Sequence, residues 1–470
     1  MTTDSERLED FGRLREYLLE QTRACVRPPI DRFRHPWIAP MPLSAAAARY
    51  LRHRGAASSL GPVPPQAEVA AKSLGEPSSG DGFAFGDYSL GLFHHDASEA
   101  AIELVRHDDL REAAFGSLLC FLDCASPTGA IHRIELPYKA REAEPAKPVM
   151  AQFALRTIEA LGPAGLERAE QHRVLERIVA FVRHLEQTSF GLHGLFLTHS
   201  SRASGFDNDI LTAELPDGTV EGPDTNAFMV LEYEAIARLA AALGRDALSR
   251  EHAERAEALR DRMNRLMWYE DERGGMYVAL RWQHGVGSLD AEIVSMRDPD
   301  GRLRPLESWV TLLPLHAGVP TPERAEALVR RLCDPEGYWG PCGIRTAPAW
   351  DPFFTQGARV LVYDHRKHAR GPVSNWMGPV WVLSNYYLAA GLARYGHRER
   401  AQTLALRTAR LLADDLERTG SLHECYDDTG RGLWPRRGTF VSWNVLALTL
   451  LHEHTSGAPA GVEASGVTAA

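Results

Sequence analysis

The chain has 470 residues, 44% hydrophobic and 24% charged, the proportions of an ordinary globular protein and not of a disordered, collagen-like or coiled-coil chain. Its 52 Lys+Arg against 62 Asp+Glu leave a net charge of −10, and no basic run offsets it, which argues against nucleic-acid binding. No stretch of about 18 apolar residues exists to span a membrane. The N-terminal stretch lacks the basic start and apolar core of a signal peptide, and six Cys without a CxxC pair point to reduced thiols in a cytoplasm.

Taken in chain order, the hydrophobic spacing is helical almost throughout. Leu8, Phe11, Leu14, Leu18 and Leu19 set the period over 5–26. Further helices are expected near 97–107, 110–124, 148–162, 169–188, 224–243, 247–267, 305–317, 322–333, 378–396, 398–418 and 440–454. Pro223, Asp224 and Asn226 supply a start signal for one of them and Gly244 a stop. Met276 to Trp282 is the best strand-like run. Segments 378–396 and 398–418 show an alternation: an apolar helix rich in small residues, then an amphipathic, charged one. An inner ring of apolar helices inside an outer ring of amphipathic ones produces this pattern. The reading is therefore an all-α fold, an (α/α)6 barrel or six-hairpin toroid, over residues 85–456. Residues 1–84 would be an N-terminal helix plus an irregular Ala/Ser/Gly/Pro-rich insertion at 54–82, a surface element or lid. Residues 457–470 read as a disordered tail.

Three loops combine acids, aromatics and glycine: 199–210 (HSSRASGFDNDI), 363–381 (YDHRKHARGPVSNWMGPVW) and 421–440 (SLHECYDDTGRGLWPRRGTF). Aromatic faces beside carboxylates suit a sugar, whose ring is apolar on its faces and whose hydroxyls need charged or amide partners. Two carboxylates from separate loops are what glycoside hydrolysis needs, one to protonate the leaving oxygen and one to activate water or attack the anomeric carbon. Residue pattern alone leaves open which acids those are. His94, His95, His365 and His368 do not fall at a metal-ligand spacing, and Cys120 and Cys124 read as core. No phosphate loop or Gly-x-Ser-x-Gly elbow occurs, so neither cofactor nor metal is implied.

Six segments, in order, resemble glycoside hydrolase family 63 and its bacterial mannosylglycerate and glucosylglycerate hydrolase relatives. GPVSNWMGPVWVLSNYYLAAGLARYG (371–396) is similar to a RGPxWxxxNYxxxxGLxxYG stretch. HECYDDTG (423–430), followed by Phe440 and Trp443, is similar to ExYxPxTG and its Phe-x-x-Trp helix. SGFDND (204–209) is similar to ESGxDNS. Weaker likenesses are FGDYSLGLFHHDASEAAIELV (85–105) to WxWDSxxxxxGLxxxDxxxA, TGAIHRI (128–134) to xGxIPxx, and 335–354 to a FxxxxGxxTxxxxDPxF stretch. The resemblance implies an inverting mechanism with Asp207 as general acid, in the less solvated place, and Glu424 as ionised general base. Asp209 is the rival of Asp207, and Asp427 and Asp428 are the rivals of Glu424. Asp87 takes the position of the first motif's acid. With Tyr88, Asn208, Trp376, Trp381, Tyr426 and Trp443 it would bind the sugar.

The chain departs from the family pattern at Ala203, in place of an acid, at Phe85-Gly86-Asp87-Tyr88, and at Lys147-Pro148-Val149, in place of Gln-Pro-Pro. A shifted specificity is expected. The partner implied is a small soluble α-glucoside or α-mannoside, with Arg366, Lys367 and Arg370 as cations for an anionic aglycone. The oligomeric state is open. A sugar epimerase working through paired His on a similar toroid, and a carbohydrate-binding protein without turnover, are the alternatives.

Overall fold

The structure is a computed structural model, and it describes residues 11–43, 48, 51, 89–137, 139–140, 144–200, 203–213, 218–281, 292–297, 301–356, 375–434 and 439–455. The 54–82 insertion, the tail, Asp87, Tyr88, Arg366, Lys367 and Arg370 lie outside the described residues. Among those described, no helix is long and apolar enough to cross a membrane.

Helices dominate: α1 (Gly12–Arg23), α2 (His94–Leu104), α3 (Asp108–Cys124), α4 (Met150–Gly165), α5 (Arg168–Thr188), α6 (Ile210–Ala213), α7 (Pro223–Ala242), α8 (Asp246–Leu266), α9 (Pro322–Leu332), α10 (Val382–Arg394), α11 (Arg398–Thr419) and α12 (Leu446–Thr455). The helix α7 starts at Pro223, whose missing N–H costs nothing in a first turn. The chain leaves it through Gly244, whose φ of +73° is the left-handed conformation glycine tolerates.

The expected alternation is present. The helices α2, α7, α10 and α12 are buried almost all round, whereas α5, α8 and α11 bury a single stripe and turn charged residues to solvent. Consecutive helices pair as hairpins, α2 with α3, α4 with α5, α7 with α8, and α10 with α11. The final helix α12 packs against both α11 and α2, bringing the end of the helical array onto its beginning.

Two expectations are corrected. The 305–317 stretch is not an α-helix but two 3-10 turns, Trp309–Thr311 and Leu313–Leu315. Residues 306–315 are all buried, the polar Glu307, Ser308 and Thr311 included, so the apolar positions there mark no single face and carry no period. Pro314 lacks a donor, and the Trp309 N–H is given to the Thr346 carbonyl at 2.9 Å. The Met276–Trp282 run also splits. Gly274–Tyr277 pairs with Trp268–Asp271, while Leu280–Arg281 joins Val220–Glu221 and Glu292–Ile293 in a small antiparallel sheet.

Side chains on one helix terminate another. The carboxylate of Glu232, in the middle of α7, accepts from the Ala151 and Gln152 backbone N–H groups at 2.8 and 3.2 Å. These are first-turn donors of α4 with no partner inside their own helix. Replacing Glu232 by Ala strands both donors in the core. The expected cost is about 2–4 kcal/mol, read as a lower urea midpoint with an unchanged slope.

Candidate active site

Several segments, distant in sequence, converge on one open cleft. They are the start of α2 with the residue before it (Phe93 to Asp96), the turn that carries Arg133, the loop 203–209, the turn 375–381, and the neighbourhoods of Glu424 and Trp443. The cleft is lined by Phe93, His94, His95, Asp96, Arg133, Gly205, Asp207, Trp376, Glu424 and Trp443. Asp207 and Glu424, far apart in sequence, thus face the same space.

Asp207 rides a turn that the local sequence dictates. Gly205 has a φ of +78°, and a Cβ there would come within 2.7 Å of His95 Nδ1, so only glycine fits. Phe206 plunges into an aromatic cluster, with ring centroids 4.8 Å from both Trp309 and Trp376. Asn208 accepts from the Trp376 N–H at 2.7 Å and donates to Asn375 Oδ1 at 3.4 Å, which ties this loop to the 375–381 turn. Its amide is spent inside the protein and does not line the cleft. Asp209 is buried, and its Oδ1 accepts from the Leu211 N–H at 3.0 Å to cap α6. Among the two aspartates, Asp207 is the one turned to the cleft.

Glu424 is brought to the cleft by a different element. The strand Cys425–Tyr426 pairs with Gly432–Trp434 and bridges to Val380, with N–H to carbonyl distances of 2.7 and 3.0 Å between Val380 and Tyr426. On either side of Glu424, His423 Nδ1 and the Tyr426 hydroxyl reach Asp415 of α11 at 2.7 and 3.0 Å. Tyr426 is therefore buried behind the site. The rivals of Glu424 are engaged elsewhere: Asp427 accepts from the Thr429 and Arg431 N–H groups, and Asp428 from Arg345 Nε at 2.9 Å.

The solvation order is the reverse of the expected one. The Asp207 side chain is 31% exposed, with Arg133 Nη1 at 3.7 Å, whereas Glu424 is 7% exposed. Burial, reinforced by the Asp207 and Asp96 carboxylates, raises Glu424 well above the usual carboxylate range. The cause is position: Asp207 follows a glycine turn at the rim, and Glu424 precedes a strand pinned under a helix.

Asp96 is a site residue that the motif reading missed. It lies in the first turn of α2, accepts from the Ser442 hydroxyl at 2.6 Å, and is pushed up to about 7 by burial. The missed signal is Phe93-His94-His95-Asp96-Ala97, an aromatic-x-ring-Asp-small run in which Phe93 and His95 stand where the motif has tryptophans. Arg133 and the two histidines also went unassigned. His94 Nδ1 donates to the Arg133 carbonyl at 3.0 Å, and its Nε2 accepts from the Lys147 N–H at 2.7 Å. Both nitrogens are thus committed to a neutral ring, which burial pushes down to about 3.

Of the tryptophans, Trp376 and Trp443 line the cleft. Trp381 does not; it stacks behind Trp376 at 3.7 Å and donates to the Asn375 carbonyl. Among the described residues no group of three His, Cys, Asp or Glu is placed to hold a metal ion.

This scaffold is shared with solved glycosidases. A GH63 mannosylglycerate hydrolase from Thermus thermophilus, in complex with Tris and D-glycerate, matches with a TM-score of 0.58 at 22% identity over 83% of this chain and 100% of that one. Neutral trehalase Nth1 from Saccharomyces cerevisiae matches at 0.54 with 17% identity, over 78% and 72%. At these identities the likeness is one of fold. Residues 135–443 match the mannosylglycerate hydrolase MGH1-like glycoside hydrolase domain, and the chain belongs to that family. A mannosylglycerate hydrolase MGH2 of Selaginella moellendorffii is 34% identical over 105 residues, 22% of this chain and 17% of that protein. A mannosylglycerate hydrolase of Rubrobacter radiotolerans is 29% identical over 115 residues, 24% of this chain and 22% of that one. The matched stretches span about a fifth of these relatives.

Proposed function

We propose that the chain is an inverting α-glycosidase acting on a small soluble α-mannoside or α-glucoside, with a glyceric acid glycoside as the leading substrate. Its barrel would be the six-hairpin α/α toroid running over 85–456. The observation that carries this reading is the meeting of Asp207 and Glu424, from separate loops, in one cleft walled by Trp376 and Trp443. Asp96 would hold sugar hydroxyls, and Arg133 gives the cleft a cation suited to an anionic aglycone.

In the leading assignment Asp207 protonates the departing oxygen and Glu424 takes a proton from the attacking water. Inversion requires room for that water between the two groups. A base flanked by Asp96 and Asp207 binds its proton strongly once it is ionised, which makes it effective at drawing one from water. The greater burial of Glu424 favours a second reading in which the roles are exchanged. Neither reading needs the histidines. His94 has both nitrogens engaged, which breaks the pair of imidazoles that an epimerase would work through.

The test is proton NMR of the protein with α-mannosylglycerate, α-glucosylglycerate and simple α-glycosides. The expected result is a free sugar that appears first as the β-anomer. Release of the α-anomer would overturn inversion, and accumulation of an epimer would overturn hydrolysis.

A further inference from the structure

Beneath the Asp207 loop lies a buried lysine that the mechanism above does not use. The Lys147 side chain is 1% exposed. Its Nζ donates to the Ser204 carbonyl at 2.6 Å, sits 3.3 Å from Asp224 Oδ2, and lies 3.6 Å from the centre of the Phe206 ring and 4.6 Å from that of Phe228. Ser204 and Phe206 bracket Gly205, and Asp207 follows. One ammonium therefore grips the loop at two points within three residues, through a carbonyl on one side of the flexible glycine and a ring face on the other. The Lys147 backbone N–H also reaches His94 Nε2 at 2.7 Å, at the start of the helix that carries Asp96.

We propose that Lys147 is a positioning residue, whose ammonium, held by Asp224, fixes the 203–209 turn and with it the orientation of Asp207 in the cleft. The proposal rests on the reading of Asp207 as a reacting carboxyl. Its energetic logic is the expense of the arrangement. Removing an ammonium from water costs several kcal/mol even when it is paired. That cost shows in the amine itself, which burial pushes down to about 8 despite Asp224. A neutral side chain would fill the same space without the expense, but it would neither bond the Ser204 carbonyl nor attract the Phe206 face. Gly205 makes this grip necessary, since a left-handed glycine is the residue about which the turn pivots most freely.

The test uses two variants of the full chain, Lys147→Met and Lys147→Met/Asp224→Asn. The double variant removes the buried carboxylate that the single one leaves unpaired. Amide hydrogen exchange is followed at 203–209 and, as an internal control, at 422–426 around Glu424. Both variants should exchange about tenfold or more faster at 203–209, with the control segment unchanged. On α-mannosylglycerate, kcat should fall about 10–100-fold while KM stays within about threefold, the mark of a misplaced reacting group. Unchanged exchange at 203–209, an equal rise at 422–426, or full recovery in the double variant would each overturn the clamp. If the unaltered protein cleaves no α-glycoside, the reading of Asp207 falls, and the exchange comparison still decides whether Lys147 holds the turn.

Discussion

Asp207→Asn and Glu424→Gln each lower kcat by about 10²–10⁴-fold on an α-mannosyl or α-glucosyl substrate, while the fold persists. Both replacements are nearly isosteric and remove only the capacity to exchange a proton. Asp207 contributes little to the scaffold, since Asn208 and Phe206 anchor its loop. Glu424 is a burden to it, as a buried carboxyl facing two others. Neither variant should therefore lower the melting temperature, which separates lost chemistry from lost structure. The neighbouring acids serve as controls. Asp209→Asn keeps an oxygen to cap α6, and Asp427→Asn keeps one for the Thr429 and Arg431 N–H groups. Each should stay within a few-fold of the parent.

The same two variants decide which carboxyl is the acid. A glycosyl fluoride leaves without needing a proton, so the variant lacking the general acid regains turnover on it, and the variant lacking the base does not. Recovery by Asp207→Asn supports the assignment that the resemblance implies. Recovery by Glu424→Gln instead would show that burial, and not motif order, sets the roles.

Much of this architecture was legible in the residues. The contrast between 378–396 and 398–418 anticipates one helix buried all round and one buried along a stripe, because a helix in an inner layer has no face left for water. The failures have a common cause, which is contacts made across long sequence distances. The 305–317 stretch was apolar enough for a helix, but Val294 takes the Leu306 N–H and Thr346 the Trp309 N–H. Trp376 and Trp381 flank the same Gly-Pro pair, and only the tertiary stack shows that one faces the cleft and the other backs it.

The site was legible to the same degree. Gly205-Phe206-Asp207 and Glu424-Cys425-Tyr426 could be picked out as loops, and Asp207 and Glu424 do meet. Their relative burial was not readable, because it depends on α11 lying under one of them and open solvent beside the other. Asp96 was missed because FGDY, nine residues earlier, competes for the same motif, and Phe93 and His95 replaced the tryptophans that would have marked the later position. Lys147 registered only as a departure from Gln-Pro-Pro. Its meaning needs Ser204, Phe206 and Asp224, which come 57 or more residues later.

Asp96→Asn should remove a pH-dependent weakness from the fold. In the native protein burial pushes this carboxyl from 3.8 up to about 7, against the Ser442 hydroxyl that favours its charged form. Between those values the unfolded chain has released a proton that the folded chain retains. The folded state then binds more protons, so stability falls as pH rises. The group's contribution is intact below about pH 4 and is lost as pH climbs through about 7. At about 1.4 kcal/mol for each tenfold change in proton affinity the ceiling is about 4 kcal/mol, and the partial exposure of Asp96 brings the expectation to roughly 2–3 kcal/mol. Asparagine keeps an oxygen for Ser442 and cannot ionise, and it takes one of the two repelling charges away from Glu424. Urea unfolding at pH 4.5 and pH 8 should therefore give a small advantage for Asp96→Asn at the lower pH, where the loss has only begun, and a much larger one at the higher. An advantage of the same size at both values would mean that Asp96 is ionised in the fold throughout. Its carboxyl would then sit in the cleft as a charge and not as a proton carrier.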